Sequence, residues 1–238
     1  FQNLTAGGQN ADGLDATNDL SFLCIQASMH TQLPAPSFSV RIWNGTPNEF
    51  LIKCAELTRT GVGLPAYYND EVIIPALMSR GVTLADAREY GIIGCVEPQK
   101  PFKTDGWHDA AFFNMCRPLE LVFSNGVDKG AQISIKTGNV EDMTTFEEFY
   151  NAYKAQETYM IGLMVNAINA IDTAHSERVP LPFLSCMVED CVKEGKTVQE
   201  GGAHYNFTGP QGFGIANMAD GLWAGKTLVF YEKKGTMA

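Results

Sequence analysis

Residues 92–108, IIGCVEPQKPFKTDGWH, are the stretch whose reading decides the fold. The isoleucine-rich start reads as a strand that stops at Gly94 and gives way to a loop rich in glycine, proline and polar groups. Gly94 lets the backbone bend, and Pro98 stiffens the exit. In an extended turn, residues two apart point to the same side, so Cys95 and Glu97 would present a thiol and a carboxylate to one pocket. On local chemistry alone a blander reading is the commoner one, a buried structural cysteine followed by an exposed glutamate.

Working outward, 19–29 has a helical apolar spacing with Asp19 available as its N-cap, and FSVRIW (38–43) alternates Phe38, Val40 and Ile42 against Ser39, Arg41 and Trp43 as a strand does. Between them, Pro34 and Pro36 enforce extended backbone. A second helix is predicted over 48–60, and TGVGLPAYYND reads as a glycine-containing loop. Asp70 and Glu71 lead into a helix that tolerates Pro75 early, and Thr83 caps a short helix that Gly91 ends. Beyond the central stretch, the sequence predicts a helix over 109–124, kinked at Pro118. Capping boxes at Thr144/Glu147 or Thr145/Glu148 open a long helix reaching about Ala174, whose stripe Phe146, Phe149, Tyr153, Met160, Leu163, Met164 and Ile168 reads as core. PLPFLSCMVEDCVKEGK reads as turn plus helix, and 201–230 as a glycine-rich loop followed by a helix. Short strands mixed with helices fit an α/β architecture.

Bulk properties narrow the function. Of 238 residues, 45% are hydrophobic and 18% charged, which is enough apolar material for a substantial core. The formal net charge of -10, without Lys/Arg clusters, argues against a nucleic-acid partner. No stretch approaches the roughly 20 apolar residues of a membrane helix, and FQNLTAGGQN has no signal-peptide character, so the expected location is cytoplasmic, with a bacterial microcompartment as the other setting. Six cysteines and four histidines are scattered without a CxxC pair, which indicates reduced thiols and no metal site. Gly201, Gly202 and Gly209 lack the spacing of a phosphate loop. The first residue is Phe rather than Met, and the chain is expected to be a piece of a longer protein.

GCVEP followed by QKPFKTDGWHDAAFFN resembles the cysteine loop of glycyl radical enzymes of the pyruvate formate-lyase type, in the branch of the diol dehydratases and choline lyase. The resemblance spans the chain through PSFSVRIW, GLPAYYND, EGGAHYNFTGPQGFGIANMAD and VFYEKK. It implies that residues 1–238 are the central part of a ten-stranded α/β barrel domain, with the cysteine on a finger loop inside the barrel. No motif similar to the family's RVxGY occurs near the end, so the glycine-radical domain is expected outside this chain.

By that resemblance Cys95 forms the thiyl radical and Glu97 is the base beside it. Asp109 matches an aspartate that contacts substrate hydroxyls, as a hydrogen-bond-accepting carboxylate would, although an N-cap on the following helix reads equally well. Phe1 matches an aromatic wall of the substrate pocket. His108 is a weaker substrate contact, with hydrogen-bonded support of the loop as its default role. The implied activity is a dehydratase converting glycerol or propane-1,2-diol to an aldehyde plus water. A C–N or C–S lyase of the choline or isethionate type is the alternative, and a catalytically silent scaffold a third. The implied partners are a small polar alcohol, a radical S-adenosylmethionine activating enzyme that installs the backbone glycyl radical, and a second copy in a homodimer. No cofactor or metal is expected to be bound. The sequence departs from the family pattern at Phe102, where glycine commonly follows the proline.

Overall fold

The computed structural model describes residues 3–236 and divides into two units. The first holds residues up to 108 together with 181–207, and the second holds 109–180 together with 208 onward.

The first unit opens with a parallel sheet. Strands β1 (Asn3–Gly7), β2 (Ser37–Ile42) and β3 (Ala66–Asn69) lie in that order, joined by helices α1 (Asp19–Thr31) and α2 (Asn48–Arg59). Parallel neighbours need such crossovers, because a tight turn cannot return the chain to the same end of the sheet. Ile25, Phe38, Val40, Phe50, Cys54 and Leu57 form the core between these helices and the sheet. The alternation read in FSVRIW does not divide a wet face from a dry one, since Ser39 and Arg41 are buried as well. β2 is the central strand, and Arg41 is tolerated there because Asp70 pairs with it at 2.8 Å.

Two local expectations change. The N-cap of α1 is Asn18, which shares a capping box with Ser21, rather than Asp19. AYYN is strand β3 rather than loop, stabilised by its register against β2, a partner distant in sequence. Helix α3 (Asp70–Met78) follows directly with Asn69 as cap, and α4 (Leu84–Arg88) is capped by Thr83. A second core cluster, including Tyr68, Ile74, Tyr90, Ile92 and Tyr205, packs around α3 and α4.

The central stretch forms an antiparallel hairpin of β4 (Gly91–Ile93) and β5 (Glu97–Gln99), with Ile93 opposite Glu97 and residues 94–96 as its turn. The expected helix over 109–124 is instead strand β6 (Thr104–Asn114) followed by the shorter helix α5 (Cys116–Phe123), whose third residue is Pro118. Proline at that position interrupts no hydrogen bond, since the first turn's N–H groups have no intrahelical acceptor. A small hairpin, β7 (Val127–Asp128) with β8 (Ala131–Gln132), leads to α6 (Phe146–Arg178), opened by the Thr145/Glu148 capping box. In α6, Phe149, Tyr153 and Ile168 of the expected stripe are buried, whereas Leu163 is 44% exposed.

Short helices α7 (Pro182–Ser185) and α8 (Cys191–Glu194) return the chain to the first unit. Strand β9 (Tyr205–Phe213) pairs with β6, so the glycine-rich segment is a strand over most of its length. Helix α9 (Ile215–Ala224) runs into a π-helical segment, Gly225–Tyr231. The mixed α/β class stands.

Candidate active site at the β4–β5 hairpin

Cys95 occupies the middle of the three-residue turn, and its side chain is exposed. Glu97, the first residue of β5, is buried with 8% of its surface accessible. The blander sequence reading is therefore inverted: the thiol is presented and the carboxylate is enclosed. Glu97 Oε2 accepts the Val96 backbone N–H at 2.9 Å, so the carboxylate is oriented by the turn that carries the thiol.

Gly94 is required twice over. Its φ of +59° lies in the left-handed region, and a Cβ at this position would sit 2.8 Å from Glu97 Oε2. Any larger residue would meet both backbone strain and the enclosed carboxylate.

The turn is anchored from the parallel sheet. Tyr68 of β3 donates its hydroxyl to the Cys95 carbonyl at 2.8 Å, and Asn3 of β1 donates through Nδ2 to the Gly94 carbonyl at 3.1 Å. Burial pushes the Tyr68 phenol up, the Ser39 hydroxyl partly offsets this, and the neighbouring Glu97 and Cys95 add to the rise, so Tyr68 stays a hydrogen-bond donor. At the base of the hairpin Tyr90, the residue before β4, donates to Asp70 at 2.8 Å and contributes its carbonyl to Arg41. Arg41 also lies over the Tyr90 ring, 4.0 Å from its centroid. Sequence reasoning missed Asn3, Arg41, Tyr68, Asp70 and Tyr90 as supports of the site. The separations of 91 and 27 residues in the two turn contacts explain why.

His108 meets Gln99 of β5 through Nε2 at 2.9 Å, a bond that ties β6 to the hairpin and fits its default role as loop support. Asp109 belongs to the second unit and is exposed in β6 with φ +56°, accepting from Gln211 of β9. It caps no helix, since α5 begins at Cys116 after Met115. A left-handed aspartate inside a strand is the kind of backbone exception that clusters at functional sites. The expectation for Phe1 falls outside the described residues.

Cys54 and Cys191 lack this setting. Burial pushes the Cys54 thiol up to about 11 and raises Cys191 as well, keeping both protonated and inert. Among the described residues one group of metal-ligating types, Glu189, Asp190 and His204, has its donor atoms within 4.8 Å of one another. Its carboxylates already pair with Lys103, Lys193 and His204 itself, which leaves little net negative charge for a cation.

Comparison with known proteins shows the family. Residues 1–238 match the family model described as pyruvate formate lyase-like. The chain belongs to the pyruvate formate lyase-like family. Among solved structures, this family member superposes with a TM-score of 0.95 on a protein from Roseburia inulinivorans studied for 1,2-propanediol dehydration, at 66% identity over 99% of this chain and 30% of that one. With the B12-independent glycerol dehydratase from Clostridium butyricum the TM-score is 0.96 and the identity 62%, covering 100% of this chain and 30% of that one. A curated relative, (2S)-3-sulfopropanediol dehydratase of Klebsiella oxytoca, is 40% identical across 98% of this chain and 28% of its own length. This chain thus spans less than a third of each of these relatives.

Proposed function

We propose that the protein containing this chain is a glycyl radical dehydratase that converts propane-1,2-diol or glycerol to an aldehyde plus water. The observation that carries the reading is the exposed Cys95 thiol at a hairpin tip with the enclosed Glu97 carboxylate two residues on, in a chain 66% and 62% identical to proteins of diol and glycerol dehydration. A backbone glycyl radical, installed elsewhere in the protein by a radical S-adenosylmethionine activating enzyme, supplies a hydrogen-atom acceptor. An exposed thiol on an anchored tip fits that requirement.

Cys95 loses its S–H hydrogen atom, and the resulting thiyl takes a hydrogen atom from a carbinol carbon of the diol, re-forming the S–H bond. Glu97 accepts the proton of the hydroxyl on that carbon, giving a ketyl that expels the neighbouring hydroxyl, which leaves as water on taking that proton back from Glu97. The product radical then takes the hydrogen atom back from Cys95, and the thiyl recovers its own from the glycine, so the thiol is used catalytically and the net change is loss of water. Asp109 holds substrate hydroxyls as a hydrogen-bond acceptor, His108 supports the loop, and Phe1 contributes an aromatic wall.

The same reading makes β1–β2–β3 part of a ten-stranded barrel enclosing the hairpin. It also makes the protein a homodimer working in the cytoplasm or a microcompartment. The parallel order of the sheet supports the barrel. No described helix is long and apolar enough to cross a membrane.

The test is an anaerobic assay of the activated full-length protein against propane-1,2-diol, glycerol, choline and isethionate. Aldehyde formed from a diol, abolished in Cys95→Ser and weakened in Asp109→Asn, is the expected result. Release of amine or sulfite without diol turnover would keep the radical chemistry and replace the substrate.

A further inference from the structure

The Gly94 and Cys95 carbonyls belong to the two peptide planes that flank the Cys95 Cα, and each is held by a side chain from a different strand. With both planes fixed, the direction of the Cα–Cβ bond is fixed too, and only rotation of the thiol about it remains. A three-residue turn without such anchors would swing by far more than the fraction of an ångström that efficient atom transfer tolerates. We propose that Tyr68 is a positioning residue for Cys95, its hydroxyl aiming the thiol for hydrogen-atom transfer while touching neither substrate nor radical.

Three features favour Tyr68 over a generic packing role. Its hydroxyl bonds the tip directly, and its ring is buried in the cluster that also holds Tyr90 and Ile92. Two residues on, Asp70 accepts from Tyr90 at the base of the same hairpin, so one short segment grips the finger at both ends. The adjacent Tyr67 is 45% exposed, and its hydroxyl meets Thr58 in α2, which makes it a matched control. The inference rests on the radical reading proposed for Cys95, and its test separates the two.

The full-length protein is prepared as wild type, Tyr68→Phe and Tyr67→Phe, each activated anaerobically. Tyr68→Phe is expected to hold as much glycyl radical by electron paramagnetic resonance as the wild type, with KM unchanged. Its kcat should be about 10- to 100-fold lower, as expected when the barrier rises by about 1.4 to 2.7 kcal/mol. The deuterium isotope effect on the substrate carbon should rise, because hydrogen abstraction becomes more rate-limiting. Tyr67→Phe should match the wild type throughout. Wild-type kcat and isotope effect in Tyr68→Phe would overturn the proposal, as would a kcat loss matched by an equal loss of radical.

A second arm needs no turnover: Cys95 alkylation by iodoacetamide in the unactivated proteins, followed by peptide mass spectrometry. If the wild type consumes no diol, the proposed function falls and this arm alone decides. A rate several-fold different from wild type in Tyr68→Phe only would then sustain the positioning role, and equal rates in all three proteins would overturn it.

Discussion

At the scale of single residues, two left-handed positions frame the hairpin with opposite consequences. Gly94 sits at φ +59° against Glu97, so Gly94→Ala should cost about 1–2 kcal/mol from backbone strain alone and push the carboxylate from its place. Denaturant melts of the full-length protein beside turnover measurements should show activity falling further than stability. Phe102 sits at φ +65° with 77% of its surface exposed, a backbone conformation that favours glycine. Phe102→Gly should relieve strain and leave stability unchanged or raised by about 1 kcal/mol, read as a shift in the denaturation midpoint. A fall of that size would mean that the exposed ring packs on something the strain argument omits.

At the scale of elements, the hairpin depends on the buried Arg41–Asp70–Tyr90 network, which ties β2, α3 and the start of β4 together. Asp70 is fully buried and also accepts the Gln9 backbone N–H at 3.0 Å. Asp70→Asn should leave the Arg41 charge uncompensated and cost about 3–5 kcal/mol, measurable by chemical denaturation. Much at this scale was legible in the sequence. Helices α4 and α6 announced themselves through caps, and α1 and α2 through apolar spacing, which are local signals. Strands β3, β6 and β9 did not, because AYYN, TDGWHDAAFFN and YNFTGPQGF are extended through pairing with distant segments. Asp109 shows the consequence: beside an apolar run it reads as a helix cap, yet pairing of β6 with β9 leaves it exposed in a strand.

At the scale of the whole molecule, the net charge of -10 makes carboxylate titration the main route of acid destabilisation. Burial alone would raise the Asp86 carboxyl, but hydrogen bonds from Tyr205, Lys103 and Thr83 outweigh it and hold it below the usual range. Backbone and hydroxyl donors at Thr144 and Thr145 lower Glu148, and Thr197 lowers Glu200 in the same way. A depressed folded-state value means that the stabilisation is present above the ordinary carboxylate range, near pH 4, and is lost as pH falls through the lowered values. Thermal melts from pH 7 to pH 3 should therefore be flat down to about pH 4 and fall steeply below it. Asp86→Asn should reduce the acid-side drop.

The sequence by itself determined the α/β class, the family, the helices with strong caps and the identity of the thiol and carboxylate at 95 and 97. These are properties of short strings, where residue type and spacing carry the signal. Only the tertiary structure decided which of that pair is enclosed by this chain, since burial of Glu97 and exposure of Cys95 depend on how the hairpin meets the sheet. It alone revealed that Asn3 and Tyr68 hold the tip and that Asp70 and Arg41 hold the base. The physical reason is that a hydrogen bond to a backbone carbonyl leaves no mark on the sequence of its acceptor: any residue supplies the same oxygen.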